Sequence, residues 1–282
     1  MITIARLTIG EAARRRVLWV LVVLALIAVG LTGWGVERLV SLARESGAAE
    51  LDIRFGVSQV LIFIAFQFGF VLAMTAAFLG SPAIAADLES GIALALLARP
   101  LRRSSFLLGR WLGLLVVVVG YAIGSAALAM AVVGVVSGYL PPNPIVPIAY
   151  LAAQAVVLLT LTLALSTKLP PIGGGAVAVV AYGLAWFAGV LGGLGRALGA
   201  EALTAISNAV RYVLPTDGLW RGVVYGLEPQ FIFAVIGEQG GLAESNPFFA
   251  STPPPPAFLA WCLAWVAIVL GLAIVALRRR EL

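Results

Sequence analysis

The sequence predicts an all-α polytopic membrane protein with six transmembrane helices and both termini in the cytoplasm. Three observations support this fold class: the composition, the recurrence of long apolar segments, and the placement of Lys and Arg. Hydrophobic residues make up 62% of the 282 residues and charged residues 11%, whereas soluble globular proteins carry roughly 45–50% and about 25%. The apolar excess lies in long uninterrupted segments, so it is more than a large soluble core.

Six apolar segments are each long enough to cross a bilayer, because about 20 helical residues span roughly 30 Å of hydrocarbon. Strict alternation of apolar and polar residues is absent from them, which excludes a transmembrane β-barrel. The first segment is longer than a typical signal-peptide core, so we expect it to be a retained span. Residues 1–282 form one predicted transmembrane domain, with spans Val17–Val36, Val57–Leu79, Phe106–Val136, Ile145–Ser166, Ile172–Gly195 and Ala257–Leu277.

The Lys and Arg residues favour one orientation, because the loops that stay in the cytoplasm are enriched in them. With the N-terminus inside, twelve of the 18 basic residues fall in cytoplasmic segments, whereas nine of the 13 acidic residues fall outside. An even number of spans then places both termini inside. We therefore expect a multi-pass protein of the cell membrane.

Few residues of this chain suit catalysis or metal binding. It has no histidine and one cysteine, Cys262, which lies inside the last apolar segment. Histidine-based metal sites, histidine-dependent triads and intrachain disulfides are thereby removed. The strongly apolar spans also lack an ionisable residue near the middle, which is the usual mark of a proton- or ion-coupled carrier. We expect no metal site and no self-powered transport.

Residues Met1–Arg16 are predicted to form an amphipathic helix on the inner membrane surface. Its apolar residues fall largely on one side of a helix: Ile2, Ile4, Leu7, Ile9 and Ala13. Its charged residues are Arg6, Glu11, Arg14, Arg15 and Arg16. Basic residues at such a site gain about 1 kcal/mol each near anionic lipid. The alternative is an ordinary positive flank of the first span.

The predicted inner segment Gly80–Arg110 is longer than a simple link between two spans requires. Ser81 followed by Pro82 predicts a helix start, and the helix dipole favours the carboxylates of Asp87 and Glu89 in the early turns. Pro100 disfavours helix at the preceding residue. Two interpretations stay open from the residues alone: a loop with its own function, or a solvated loop that follows the positive-inside rule.

The predicted outer segment Arg196–Pro256 is not hydrophilic enough to be a plain loop. An apolar stripe predicts one short helix that ends at Pro215, and Thr216 or Asp217 can begin a second. We expect both helices to be interfacial or re-entrant, since several aromatic side chains suit the headgroup level: Tyr212, Trp220 and Tyr225. The other outer segment, Glu37–Gly56, has mixed charge and no clear pattern.

Glycine pairs four residues apart recur within and beside the spans. Such pairs let membrane helices approach closely, so together they suit a packed bundle or a dimer. Each pair alone is a weak signal in a glycine-rich chain. They are Gly109/Gly113, Gly120/Gly124, Gly134/Gly138 and Gly189/Gly193.

Three stretches resemble the permease subunits of ABC transporters of the ABC-2 type, especially the compact six-span permeases that are encoded apart from their ATPase. They are ARLTIGEAARRRVLWVLVVLALIAVG at Ala5–Gly30, ADLESGIALALLARPLRRSSFLLGR at Ala86–Arg110, and ALRRREL at Ala276–Leu282. The stretch VLPTDGLWRG at Val213–Gly222 is also similar. The likeness covers the whole chain, and the central stretch is its most specific part.

The resemblance implies an exporter built as a two-fold homodimer with two cytoplasmic ATPase subunits, which hold ATP and Mg. In such permeases the N-terminal helix and the first inner loop, residues 80–105 here, meet the ATPase. By position, the residues at this ATPase-coupling contact are Asp87, Glu89, Arg99, Pro100, Arg102 and Arg103. The chain has no GxxxxGK[ST] motif to cradle ATP phosphates, so we do not expect it to be an enzyme.

Two other functions stay open at this point. An intramembrane enzyme would need paired carboxylates or a histidine within the spans, so only an unusual chemistry would serve. A non-transporting scaffold, or the membrane partner of a sensor, would use the same spans and loops. The residues do not indicate the transported substrate, since Leu- and Val-rich surfaces are needed to face lipid in any case.

Overall fold

The computed structural model describes residues 1–89, 102–229 and 245–279, and every regular element within them is an α-helix. The helices of these ranges form a bundle without sheet. In chain order they are α1 (Ile2–Arg14), α2 (Arg16–Glu45), α3 (Glu50–Gly80), α4 (Pro82–Glu89), α5 (Arg103–Ser137), α6 (Ile145–Ser166), α7 (Pro171–Ala197), α8 (Glu201–Val213), α9 (Thr216–Leu227) and α10 (Pro256–Arg279).

Six of the described helices are long and apolar enough to cross a membrane. They are α2, α3, α5, α6, α7 and α10, and each contains one of the six predicted apolar segments. The prediction of an all-α protein with six spans is confirmed. The placement of both termini in the cytoplasm stays a prediction.

Because successive spans reverse direction, the bundle has two distinct ends. The end that holds α1, α4, the start of α5 and the end of α10 is called the α1 end below. The opposite end holds α8, α9 and the start of α10, and is called the α9 end.

Helix α6 lies at the centre of the bundle and contacts α3, α5, α7, α9 and α10. Its buried hydroxyl groups donate to carbonyls of the preceding turn, as at Thr160, Thr162 and Ser166. These polar groups are therefore satisfied without water, as the interior of a membrane protein requires. Trp111 of α5 also donates its indole N–H to the Thr160 hydroxyl at 3.0 Å.

The segment Glu37–Gly56, in which the sequence shows no clear pattern, is mostly helical. Helix α2 continues to Glu45 and α3 begins at Glu50, so only residues 46–49 link them. The extended ends pack together through an apolar cluster that includes Val36, Val40 and Val57. The spacing of these valines is helical, but mixed charge on the outer faces of both helices hides the pattern in the sequence.

Helix α4 begins at Pro82, as the sequence predicts, but the predicted cap by Ser81 is wrong. The backbone of Ser81 is helical, with φ −63° and ψ −43°, so α3 leads directly into α4. The Ser81 hydroxyl donates to the carbonyl oxygen of Pro171 at the start of α7 and does not act as a helix cap. Its role is thus to hold α7 against the junction of α3 and α4.

Helix α9 is deeply packed because one of its faces is made of glycine. A Cβ atom at Gly222 would lie 2.5 Å from Tyr150, and one at Gly226 would lie 2.7 Å from Pro147, so α9 rests directly on α6. Gly218 meets the ring of Phe258 in the same way. The absence of side chains on this face is what lets α9 enter the bundle.

Trp220 is buried within the bundle and does not face lipid headgroups, although the sequence suggested a headgroup-level residue. Its side chain is 2% exposed and packs edge-on against Phe66 and Phe248. The indole N–H donates to the carbonyl oxygen of Pro247 at 3.0 Å. The aromatic side chain at this position of α9 therefore packs in the core of the bundle. Tyr212 of α8, by contrast, is 55% exposed.

Glu228, the residue that follows α9, is a buried acid outside the spans. Its side chain is 2% exposed, and burial raises its pKa to about 8. The chain has no histidine, so few other groups titrate between pH 6 and 9. A pH dependence of stability in this range can therefore be assigned to Glu228.

We expect the thermal stability of the detergent-solubilised chain to fall between pH 5 and about 8 and then level off. In that window the unfolded chain releases the Glu228 proton while the folded chain keeps it, so rising pH favours unfolding. Glu228→Gln should remove this slope, as measured by melting temperature against pH. Parallel profiles for the variant and the parent would contradict the assignment.

Candidate functional site

Helix α1 is fixed to the start of α5 by close packing. A Cβ atom at Gly109 would lie 2.7 Å from Ile4, and one at Gly113 would lie 2.6 Å from the carbonyl oxygen of Ala5. The face of α1 that meets α5 carries Thr8, which is buried and donates its hydroxyl to the Ile4 carbonyl at 2.9 Å. The two helices approach this closely because α5 has glycine at both contact positions.

The apolar residues of α1 therefore divide between protein and surroundings. Ile4 packs against the core, whereas Ile2 and Leu7 are 74% and 70% exposed. The predicted single apolar face is in part wrong, because Thr8 and Ala12 form the buried contact. The exposed Ile2 and Leu7 suit contact with lipid, and the interfacial position of α1 stays a prediction.

Arg110 of α5 joins three helices at the α1 end. One Nη atom donates to Glu11 of α1 and the other donates to Asp87 of α4. The side chains of Arg110 and Asp87 are 12% and 13% exposed. The guanidinium also lies 5.8 Å from the centre of the Phe106 ring. A planar donor with several N–H groups suits such a bridge between two carboxylates.

Arg15 extends this ion-pair network along α1, with its guanidinium 2.6 Å from Glu11. Burial opposes the ionisation of Glu11, but hydrogen bonds from Arg15 and Arg110 outweigh it and lower the pKa of Glu11. The carboxylate is therefore held in its charged form at neutral pH. The network links α1, α4 and α5 by ion pairs, although burial raises the pKa of Asp87 above its usual value.

Arg103, at the start of α5, binds the end of the last span. Its Nη1 donates to the carbonyl oxygens of Leu277 and Arg278, each at 3.0 Å. The last carbonyls of a helix have no partner within the helix, and the negative end of its dipole attracts a cation. Arg103 thus acts as a cap for α10 supplied by another helix.

An apolar cluster beneath these polar contacts joins the same helices. It contains Ala12 of α1, Ile84 of α4, Phe106 and Leu107 of α5, and Leu277 of α10. Each is nearly or fully buried. The α1 end of the bundle is consequently one packed unit, and α4 cannot move without displacing its neighbours.

The predicted coupling residues are brought together only in part. Asp87 and Arg103 belong to the contacts above, and Arg102 is exposed just before α5. Arg99, Pro100 and the side chain of Glu89 lie outside the described residues. Among the residues predicted for α1, Glu11 and Arg15 join the network, whereas Arg6, Arg14 and Arg16 are exposed.

Arg110 is the residue that the sequence-based prediction of the site missed. It is separated by 99 residues from Glu11 and by 23 from Asp87, so neither contact follows a helical spacing. A signal was present: Arg110 falls just inside a predicted span, where an unpaired charge is costly. That cost indicates that Arg110 has an acidic partner, but it does not identify which residue the partner is.

A family model described as an ABC-2 family transporter protein matches residues 2–282, nearly the whole chain. A search of the curated proteins finds no match.

We expect Gly113→Leu to detach α1 from α5, because the new side chain would occupy the position of the Ala5 carbonyl and Thr8. Amide hydrogen exchange across Ile2–Arg14 should then become about tenfold faster or more. Gly183→Leu in span α7 is the matched control, since no atom lies within 4 Å of a Cβ placed there. Equal exchange rates in both variants would disprove this mode of docking.

Proposed function

The chain belongs to the ABC-2 transporter family, and on this premise we propose that it is the membrane-spanning subunit of an ATP-driven exporter. Membership makes it a multi-pass permease subunit of an ABC transporter that works with a partner ATP-binding subunit and is not itself catalytic. The direction of transport, the composition of the complex and the residues that meet the ATPase go beyond family membership. These points form the proposal.

The bridge from Asp87 through Arg110 to Glu11 is the observation that carries the proposal. Helix α4 directly precedes residues 90–101, in which Arg99 and Pro100 are predicted to meet the ATPase. A displacement of that segment would first move α4. The hydrogen bonds of Arg110 would then transmit the movement to span α5. Exposed Arg102 and capping Arg103 would give the same movement a second route, to α5 and α10.

Two ATPase subunits, each with ATP and Mg, and a second copy of the permease complete the proposed complex. A two-fold arrangement would let closure of the ATPase pair draw two copies of the α1 end together. The open glycine pair Gly120/Gly124 on α5, which has no atom within 4 Å of either Cβ position, is compatible with a helix contact between copies.

The polar residues in the core of the bundle are consistent with transport that is powered by a partner protein. Polar groups at the centre of α6, such as Gln154 and Thr160, are neutral. A carrier driven by an ion gradient usually needs an ionisable residue at such a depth. We propose that ATP hydrolysis moves the spans, with transport directed away from the ATPase side.

Arg102→Glu should weaken the association with the ATPase from the neighbouring gene, because it reverses a charge at the exposed edge of the proposed contact. We expect the ATPase recovered with an affinity-tagged permease to fall about fivefold or more. Arg38→Glu, an exposed arginine at the α9 end, is the control and should leave recovery unchanged. Recovery that is the same for both variants would argue against a contact at this edge.

Arg110→Gln should uncouple the permease from the ATPase without releasing it. The variant breaks both arms of the bridge but leaves the exposed surface in place, so co-purification should persist. ATP with vanadate should alter amide exchange at α9 in the parent complex, and the variant should lose at least half of that change. Glu50→Gln, which breaks an exposed ion pair with Arg54 at the other end, is the control.

A full nucleotide response in the Arg110→Gln complex would overturn the proposed relay. Its melting temperature should be recorded beside this measurement, because removing one partner of a largely buried ion pair also costs stability, about 3 kcal/mol. A variant that is folded, bound and unresponsive would separate loss of coupling from loss of structure.

A further inference from the structure

Three arginines converge on one cavity at the α9 end of the bundle. The cavity has a volume of about 320 Å³, within the lower range of small-molecule sites. Arg196 comes from the end of α7, Arg211 from α8 and Arg221 from α9. The opposite wall is formed by residues 249–255 and by Phe258 of α10. The lining thus combines cationic side chains from three helices that are distant in sequence.

A single buried carboxylate orients two of these arginines. Arg211 donates to Asp217 from Nε at 3.2 Å and from Nη2 at 3.0 Å, and Nε of Arg221 lies 3.8 Å away. Asp217 is 6% exposed and fits beside α7 because Gly189 has no side chain there. Asp217 therefore acts as an internal support for the guanidinium groups and offsets one of their charges.

Arg196, the third arginine of the cavity, forms no ion pair with Asp217. Its side chain is half-buried and makes no ion pair within the described residues. It lies in the last turn of α7, where the helix dipole supplies about half a negative charge. A partly buried cation gains much more from a full negative charge beside it.

The residues around the cavity are of the types found at the depth of the lipid headgroups. Tyr212, which lines the cavity, stacks edge-on with Trp261 at 6.1 Å, and the indole N–H of Trp261 donates to the Tyr212 carbonyl. Val213 beside it is 73% exposed. Exposed aromatic and apolar side chains next to polar groups are typical of the membrane–water boundary.

From these observations we propose that the cavity binds an anionic phosphate group. Guanidinium groups match phosphate oxygens in charge and in the geometry of paired N–H donors. The rigid run Pro253–Pro255 forms one side of the lining, so that side need not be ordered on binding. The phosphate can come from the headgroup of an anionic lipid or from a free phosphate ion, and both would use the same three arginines.

The test uses the purified full-length chain without any ATPase, so its result is independent of the proposed exporter function. In the first arm, native mass spectrometry compares binding of phosphatidylglycerol with phosphatidylcholine, whose choline group masks the phosphate charge. In the second arm, inorganic phosphate is compared with chloride at equal ionic strength for its effect on melting temperature. The variants are Arg196→Gln and Arg221→Gln.

Arg44→Gln is the matched control, an exposed arginine at the same end of the bundle but outside the cavity. We expect each cavity variant to weaken phosphatidylglycerol binding about tenfold, since one charge-assisted contact to phosphate is worth at least that factor. The control should bind as the parent does. This result would assign the cavity to lipid headgroups.

Stabilisation by inorganic phosphate that Arg196→Gln abolishes, without a lipid preference, would assign the cavity to a free phosphate ion. The proposal is overturned when the cavity variants and Arg44→Gln behave alike in both arms. Should Arg196→Gln fail to fold, Arg196→Lys and Arg221→Gln decide the question, because both leave Asp217 paired with Arg211.

Discussion

Close contact between glycine backbones and neighbouring helices holds the short helices of this protein to its spans. Lipid is as apolar as leucine, so membrane helices gain little from burying apolar surface against each other and depend on tight packing instead. Gly109 and Gly113 of α5 are in close contact with α1. Gly218, Gly222 and Gly226 allow α9 to pack inside the bundle. Gly192 and Gly195 receive Ser207, Leu203 and Thr204 of α8 in the same manner. Both the ion-pair network at the α1 end and the cavity at the α9 end include residues of helices attached in this way.

The charged groups are arranged differently at the two ends of the bundle. At the α1 end, Arg110 is matched by Glu11 and Asp87, which makes a closed network within the chain. At the α9 end, Asp217 pairs with Arg211 and Arg221, and these two line an open cavity together with Arg196. A matched network favours a fixed mechanical connection, whereas an excess of one sign favours a ligand of the other sign.

The spans between the two ends of the bundle connect the two regions through packed helices. Span α5 begins at Arg103, carries Arg110 and packs along central α6, which in turn supports α9. Movement of the start of α5 would therefore reach α9 through packed side chains. For a permease that receives energy from a partner, this arrangement connects the proposed ATPase contact at the α1 end to the α9 end, which is the exit side in the proposed export.

The sequence by itself determined the elements whose causes are local. Six apolar segments fixed the spans, and Pro215 with the flanking stripe located α8 and α9, because length, periodicity and helix breakers act within a few residues. The resemblance over Ala86–Arg110 pointed to the family that the match over residues 2–282 established. Tertiary structure alone decided which charges meet and which aromatic residues are buried. Arg110 pairs with Glu11 across 99 residues, Trp220 lies in the core, and Arg196 shares a cavity with Arg211 and Arg221. Such contacts depend on how whole helices are placed, since packing geometry, and not local propensity, sets the distance between side chains far apart in the chain.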